Sequence, residues 1–279
     1  MAIRIVTDSA SDLPQPVCDD LGIEVVPLTI RFGEEEFVDR TELTTEDFWT
    51  RLQSSPILPE TAAPSVGAFE EVFRRLADDG ADGIACINLS SRLSATFQSA
   101  QVAAKALDGL CPISIVDSKS ASMGIGNLVL HAARRARQGA SLEAIVHEVE
   151  DRRDRQRVLA TLDTLEYLRK GGRIGGAQAL LGSMLSIKPV ISVEDGAVEQ
   201  AGKVRTRSKA LRFIADRIPA DVEVLSVLHA GAPDLDDFMA MISGSTAGAE
   251  VVVGHIGPVV GVHTGPRVVG VAWVPRATG

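Results

Sequence analysis

Two segments of the chain place hydroxyl or imidazole side chains in an otherwise apolar sequence. One is Leu89-Ser90-Ser91-Arg92-Leu93-Ser94-Ala95-Thr96, and the other runs from Gly257 to Pro266 and contains His263. Hydroxyl groups and the free amides at a helix start can hydrogen-bond a carboxylate in apolar surroundings, where an unpaired charge is costly. Ser94 lies at a predicted helix start, where the ordinary role of a serine is to cap the helix. The two segments favour the binding of one polar head group over the turnover of a substrate.

Ser94 and His263 also raise the alternative of a hydrolase or acyltransferase, with Ser94 as the nucleophile and His263 as the base. No serine lies in a GxSxG motif, and no acidic residue is placed by a motif to orient His263. Because a triad can be assembled from distant residues, this alternative stays open.

Nucleotide and metal motifs are incomplete. The segment Gly171-Gly172-Arg173-Ile174-Gly175-Gly176 does not follow the GxGxxG pattern, and Gly202-Lys203 is followed by valine where a phosphate-binding loop needs serine or threonine. The five histidines form no HExxH motif, and the cysteines are scattered. The sequence therefore predicts no cofactor and no metal site.

Charge and composition exclude some classes of function. Lys and Arg total 28 against 37 Asp and Glu, which gives a net charge of −9. Phosphate repels an acidic chain at long range, so we expect no nucleic-acid partner. With 45% hydrophobic and 23% charged residues, the chain can bury a sizeable core.

The chain shows no sign of export or of membrane insertion. Its first residues contain no apolar signal-peptide core, and the three widely spaced cysteines, Cys18, Cys86 and Cys111, are expected to be reduced. The apolar stretch from Val251 to Val274 is interrupted by His, Pro, Arg and Gly residues, which indicates two strands and a loop. We therefore expect a cytoplasmic protein without integral membrane association.

Strand-like and helix-like segments alternate in the first half, which is typical of a parallel sheet with helical crossovers. The predicted strands cover residues 3–7, 23–30, 83–89 and 113–117, and the predicted helices cover residues 65–79, 94–107, 126–138 and 141–155. Residues 31–64, rich in acidic residues and proline, interrupt this alternation and are interpreted as a polar insert.

The second half has a different pattern. Strands are predicted at residues 157–162, 188–193, 197–200, 222–229, 250–253 and 267–274, and helices at 206–218 and 233–242. Asp195-Gly196 is typical of a hairpin turn. The sequence thus predicts a two-domain α/β protein, with a parallel-sheet domain over residues 1–155 and an α+β domain with a mixed or antiparallel sheet over residues 156–279.

Five motifs, in order along essentially the whole chain, resemble the DegV family, whose members include the fatty-acid-binding subunits of bacterial fatty acid kinase. They are Val6-Thr7-Asp8-Ser9-Ala10-Ser11-Asp12-Leu13-Pro14, the stretch from Leu89 to Ala100, Val116-Asp117-Ser118-Lys119-Ser120-Ala121-Ser122-Met123-Gly124, the stretch from Leu165 to Ile174, and Gly257 to Pro266. Each motif alone is weak, whereas the five at family spacing are specific.

The resemblance implies a DegV-type fold that binds one long-chain fatty acid in an apolar tunnel between the two domains. It implies that Thr61, Ser94 and His263 hold the carboxyl group of the acid, with a supporting loop that includes Ser91, Ala95, Thr96 and Gly265. Burial of a chain of about sixteen carbons is worth on the order of 10 kcal/mol at ~0.8 kcal/mol per CH₂. A carrier of another amphipathic carboxylate remains an alternative.

The resemblance also implies a partner. Proteins of this kind are not catalysts; they present the bound acid to a separate fatty acid kinase subunit, which forms acyl phosphate for phospholipid synthesis. By the same analogy, Arg173 and Arg205 are expected to face the kinase.

Two residues depart from the usual family pattern. Ala95 stands where the family usually has glycine, and its Cβ is expected to crowd the head group or shift the backbone. Arg267 also replaces a usual glycine and would be strained if that position requires a positive φ.

Overall fold

The computed structural model describes residues 2–246 and 248–276. The strands are β1 (Ile3–Asp8), β2 (Ile23–Val26), β3 (Thr29–Phe32), β4 (Glu35–Val38), β5 (Glu60–Ala62), β6 (Gly83–Asn88), β7 (Ile113–Asp117), β8 (Arg157–Thr161), β9 (Lys188–Glu194), β10 (Ala197–Val204), β11 (Val222–His229), β12 (Glu250–His255) and β13 (Val269–Pro275).

The α-helices are α1 (Gln15–Leu21), α2 (Thr45–Ser54), α3 (Val66–Asp78), α4 (Thr96–Ala106), α5 (Met123–Arg137), α6 (Leu142–Arg155), α7 (Glu166–Lys170), α8 (Arg207–Ala215), α9 (Leu235–Ile242) and α10 (Pro258–Thr264). Short 3-10 helices cover Ser9–Ser11, Gly175–Ser186 and Ser243–Thr246.

The first half of the chain forms the predicted parallel sheet, with strand order β2-β1-β6-β7. Every residue of β6 is buried, because helices cover both faces of the sheet. The loops that follow β1, β6 and β7 all leave from the carboxyl edge of this sheet, which is the edge where open α/β sheets bind ligands.

The second half forms the predicted mixed sheet, with strand order β10-β9-β8-β13-β11-β12. Only β11 and β12 run parallel; the other neighbours are antiparallel. Asp195 and Gly196 form the predicted hairpin turn with φ values of 46° and 82°.

Two strands, β2 and β3, replace the single strand predicted over residues 23–30, and residues 31–64 contain strands and a helix of their own. Pro27 lies between β2 and β3, and it has no N–H with which to continue a ladder. β3 instead lies between β4 and β5 in a separate antiparallel sheet. This small sheet, with α2, places Thr61 beside the second half of the chain.

The loop predicted between the last two strands is wrong, because residues 258–264 form α10. Pro258 suits the first turn of a helix, where its missing N–H is not needed. Gly261 lies inside this helix at a point that has no room for a side chain. A Cβ there would come within 2.6 Å of Phe48 and 2.9 Å of Trp49. The glycine that suggested a loop is therefore the contact that lets α10 approach α2.

The boundary predicted at residues 155 and 156 falls between α6 and β8. The largest cluster of buried apolar residues extends across it, from Ile5 and Leu128 in the first half to Leu165, Val262 and Val268 in the second. The two sheets thus share a core at the place where their loops meet.

Candidate functional site

An apolar cavity lies between the carboxyl edge of the parallel sheet and one face of the mixed sheet. It contains about 920 Å³ of empty space, its mouth included, and its lining includes Ala10, Leu89 and Met123 from the first half and Ile191, Leu228 and Ala272 from the second.

Three adjacent strands form the floor of the cavity. Gly270 of β13 lies opposite Ala160 of β8 on one side and Leu228 of β11 on the other, and all three line the cavity. Because side chains alternate along a strand, Val269 and Val271 contribute to the core on the other face of the sheet. A Cβ on Gly270 would lie 3.5 Å from that of Ala160, so the glycine and alanine leave space above the sheet.

The opposite end of the cavity is polar. The polar side chains in its lining are those of Thr61, Ser94, Ser122, Arg173, His263 and Thr264. The Oγ1 atom of Thr61 lies 3.0 Å from Nε2 of His263, although the two residues are 202 positions apart. β5 holds Thr61 opposite Ile30, and the last turn of α10 carries His263. The three residues predicted to bind a carboxyl group thus line one cavity.

His263 is neutral at physiological pH. Burial and the neighbouring positive charge of Arg173 lower its pKa to about 4. Its Nδ1 atom is buried and has no hydrogen-bond partner within the described part of the chain. A neutral imidazole can still donate one N–H to a carboxylate, while the charge of Arg173 attracts that carboxylate.

Two glycines allow close packing near His263, and only one of them, Gly265, was predicted from the sequence as a residue of the site. A Cβ on Gly171 would lie 2.3 Å from Nδ1 of His263, and a Cβ on Gly265 would lie 2.4 Å from the ring of Tyr167. Gly265 also has a φ of 73°, which glycine adopts without strain. The glycine-rich segment that begins at Gly171 therefore has a packing role beside the site, and its run of glycines was the available sequence signal.

Ser94 lies at the first turn of α4, although the helix begins two residues later than predicted. Its Oγ atom lies 2.9 Å from Oγ1 of Thr96 and accepts a hydrogen bond from the Thr96 amide at 3.3 Å. Thr96 is buried behind Ser94 and is not part of the cavity lining. Ser94 thus accepts from the first amide of α4, whose N-cap residue is Ala95, and it also lines the cavity.

The remaining residues of the predicted supporting loop lie elsewhere. Ser91 is exposed, and its hydroxyl donates to Asp117. Ala95 is exposed, with an ordinary helical φ of −75°, and it does not line the cavity. Its Cβ therefore does not reach the cavity. Arg267 does have the positive φ, 62°, that its departure from the family pattern suggested.

Arg173 and Arg205 occupy different surroundings. Nε of Arg173 donates to the Leu93 carbonyl at 3.0 Å and Nη1 to the Gly171 carbonyl at 2.7 Å. Arg173 lines both the cavity and an adjoining polar cleft of about 750 Å³, which Lys170 also lines. Arg205 is exposed between β10 and α8 and lines neither space.

The cavity opens at its polar end. Thr61, Arg173 and His263 line both the apolar cavity and the polar cleft. A ligand bound with its tail on the cavity floor would therefore have its head group next to a cleft that contains the charged side chains of Glu60 and Lys170.

The buried carboxylate of Asp8, at the end of β1, holds the loops of the site, whereas from the sequence this segment was recognised only as a family motif. Asp8 accepts hydrogen bonds from the amides of Ala10 and Leu89 and from the Asn88 side chain, at 2.8–3.1 Å. Burial raises the pKa of Asp8 to about 6 despite these bonds. Asp8 therefore fixes the start of the loop that carries Ser94.

The described residues contain no group of three or more His, Cys, Asp or Glu side chains suited to hold a metal ion. The three cysteines are free, as predicted. Within the same ranges, 2–246 and 248–276, no helix has the length and apolar character needed to cross a membrane.

Comparisons with known proteins identify the class. The family model described as an uncharacterised protein of the DegV family matches residues 2–276. A DegV domain-containing protein of Streptomyces coelicolor is 38% identical over 276 residues, which cover 96% of this chain and 97% of the relative. This chain belongs to the DegV family.

Solved structures agree with this assignment. A fatty-acid-binding DegV family protein from Thermus thermophilus matches with a TM-score of 0.91 and 34% identity, covering 99% of this chain and 100% of its own. A stearic-acid-binding protein from Eubacterium ventriosum matches with a TM-score of 0.89 and 27% identity over 98% of both chains. The α/β architecture, with its parallel sheet, its mixed sheet and the small sheet of β3, β4 and β5, is therefore the DegV fold.

Proposed function

We propose that this protein binds one long-chain fatty acid, with its hydrocarbon tail in the apolar cavity and its carboxyl group at the cluster of Thr61, Ser94 and His263. The observation that carries the proposal is a mostly apolar cavity whose lining also contains the bonded pair Thr61 and His263 together with Ser94 and Arg173. The fatty acids bound by the Thermus thermophilus and Eubacterium ventriosum proteins support the choice of ligand.

The energetics suit such a ligand. Each buried CH₂ of the tail contributes about 0.8 kcal/mol, and the tail needs no polar partner. The carboxylate does need partners, because burying it unpaired is prohibitive. Hydroxyls of Thr61 and Ser94, an N–H of His263 and the charge of Arg173 provide them.

We further propose that the protein is not itself an enzyme, and that it presents the carboxyl group to a fatty acid kinase subunit in the cytoplasm. That partner would transfer the terminal phosphoryl group of ATP to a carboxylate oxygen, giving acyl phosphate for phospholipid synthesis and ADP. The polar cleft beside Arg173 and Lys170 supports this, since it lies where the head group would be reached. Arg173 and the exposed Arg205 are the proposed contacts of the partner.

A hydrolase would need a bond between Ser94 and His263. In the structure, Ser94 pairs with Thr96, and Nε2 of His263 pairs with Thr61. This arrangement supports a head-group site over a nucleophile and its base.

The test is native mass spectrometry of the protein purified from cells, followed by denaturing extraction and lipid analysis. We expect a one-to-one complex whose added mass equals that of a fatty acid. Protein that carries no lipid and does not take up added palmitate would contradict the proposal, whereas a different extracted carboxylate would identify it as a carrier of that compound.

The kinase step is tested separately by adding ATP and a purified kinase subunit to the loaded protein and trapping acyl phosphate with hydroxylamine. We expect acyl hydroxamate only when all three components are present. Formation of hydroxamate by the kinase with free palmitate at the same rate would show that presentation by this protein is not needed.

A further inference from the structure

The carboxylate of Asp12 joins three elements around the cavity. It accepts a hydrogen bond from Oγ of Ser122 at 2.5 Å and another from the amide of Gly257 at 3.0 Å. Asp12 ends the 3-10 helix after β1, Ser122 immediately precedes α5, and Gly257 immediately precedes α10. All three elements contribute residues to the cavity lining, among them Ala10, Met123 and Val259.

Helix α10 cannot cap its own first turn. Its N-cap residue is Gly257, which has no side chain, and Pro258 has no N–H. Asp12, 245 positions away in the chain, accepts a hydrogen bond from the amide of Gly257 and so anchors the residue that precedes the helix. This helix carries His263 in its last turn, so an acceptor that fixes the start of α10 also fixes where the imidazole lies.

The hydroxyl of Ser122 bonds the same carboxylate and does not cap α5. Ser122 occupies the N-cap position of α5 but makes no side-chain capping bond, because its hydroxyl donates to Asp12. Its φ of 57° is one that residues other than glycine rarely adopt. The amide of Ser122 donates to the Ala10 carbonyl at 2.9 Å, which holds the same two segments together.

We propose that Asp12 is a positioning residue of the ligand site, which holds the start of α10 against α5 and thereby sets His263 opposite Thr61. The inference rests on the proposed function, since it names a determinant of the same binding event. Asp12 does not line the cavity, so it acts on the ligand only through α10 and α5.

The charge of Asp12 changes within the physiological range. Burial raises its pKa to about 7, against the lowering effect of the bonds from Ser122 and Gly257 and of the Arg40 charge. The other titratable groups around it are Asp39, Asp8 and Cys18, which interact with Arg40, and His255, which lines the cleft next to Asp12. A protonated carboxyl is a weaker acceptor than a carboxylate, so the hold on α10 should weaken as the pH falls through 7.

The first measurement is the affinity of delipidated protein for palmitate, by calorimetry from pH 6 to 8.5. We compare the wild type with Asp12→Asn and with Asp39→Asn. Asp39 is the control because its carboxyl is also buried but bonds Ser9 instead of Ser122 and Gly257. We expect Asp12→Asn to weaken binding roughly tenfold at pH 8 and about twofold at pH 6, and Asp39→Asn to stay within twofold of the wild type.

Any titration of the palmitate carboxyl is common to all three proteins, so the ratio between variants isolates Asp12. The melting temperature at pH 8 separates positioning from general stability. Asparagine avoids the cost of burying a charge, so Asp12→Asn is expected to melt no lower than the wild type. Equal affinities of the wild type and Asp12→Asn, or equal losses in both variants, would overturn the proposal.

A ligand-free measurement keeps this inference separate from the proposed function. Nε1 of Trp49 donates to the Ile256 carbonyl at 3.1 Å, just before α10. The Trp49 ring also packs closely against Gly261 of α10, where a Cβ would lie 2.9 Å from it. In a Trp273→Phe background, Trp49 fluorescence should change with a midpoint near pH 7, and Asp12→Asn should abolish the change. The same titration in both proteins would refute the role of Asp12, whereas failure of the wild type to bind palmitate would refute the proposed function alone.

Discussion

The two ends of the cavity are built in different ways. Backbone register places Ala160, Gly270 and Leu228 side by side on three neighbouring strands of the floor. The polar end instead combines Thr61 from a small separate sheet with His263 from a short helix. These two segments are not paired with each other by backbone hydrogen bonds. The depth of the cavity is therefore set by side-chain size on a rigid sheet, whereas the head-group site depends on contacts between distant segments.

The largest effect on binding is expected from His263→Ala at the polar end. Loss of a hydrogen bond to a charged group costs about 1.5–3 kcal/mol, so palmitate should bind roughly 10- to 150-fold more weakly. Calorimetry at pH 7.5 measures this, with His147→Ala, an exposed histidine on α6, as the control. Affinity within twofold of the wild type would mean that the carboxyl group lies elsewhere.

A smaller and selective effect is expected from Gly270→Val on the floor. Filling the space of about two methylenes should cost a long acid roughly 1.6 kcal/mol, or about 15-fold in affinity, at ~0.8 kcal/mol per CH₂. A shorter acid such as laurate, which need not reach the floor, should bind as it does to the wild type.

Gly270→Ala provides the graded control, because its single Cβ meets Ala160 at an ordinary contact distance of 3.5 Å. Its affinity for palmitate should lie between those of the wild type and of Gly270→Val. Equal losses for palmitate and laurate would show that the floor does not set the length of the bound acid.

Within the loop after β6, the structure separates two serines that the sequence presents alike. Ser94→Ala removes a hydroxyl that lines the cavity and should weaken palmitate binding about fivefold, which corresponds to ~1 kcal/mol. Ser91→Ala removes a hydroxyl that donates to Asp117 on the surface and should leave affinity unchanged. The comparison fails if both variants lose affinity to the same degree.

The smallest effect is expected from Arg267→Gly, which lies outside both ends of the cavity. Glycine relieves a φ of 62°, a gain of roughly 1 kcal/mol, while the loss of the exposed ion pair to Asp163 costs less than about 1 kcal/mol. Urea unfolding should show a small rise in stability, with palmitate affinity unchanged. A decrease in stability would indicate that the Asp163 pair outweighs the strain.

Regular periodicity predicted most of the fold. The strands and helices of the parallel sheet follow from apolar patterns that each repeat within one segment, and Asp195-Gly196 predicted the hairpin. The errors at residues 23–30 and 257–266 arose where proline and glycine were misjudged. Pro27 interrupts a strand that its apolar neighbours suggest. Gly261 lies in a helix at a point where α2 packs too closely to leave room for a side chain.

The residue pattern already indicated Ser94 and His263 as part of a head-group site, whereas Thr61 was named only through the family resemblance. No local rule relates residues 61 and 263, since their contact depends on the small sheet and α10, both missed. The functions of Gly171 and Asp12 were invisible for the same reason, because each is defined by a partner distant in the chain. Local patterns therefore predict elements, while the site is a product of tertiary contacts.

The contact between Thr61 and His263 also affects how the chain is made. A ribosome synthesises Thr61 well before α10 and β13, so an emerging chain has only one wall of the cavity. Until the last strands are added, the apolar residues Leu89, Leu93 and Met123 lack the cover that β11 and β13 give to the cavity. Release of the finished chain is thus also the moment at which the binding site is closed.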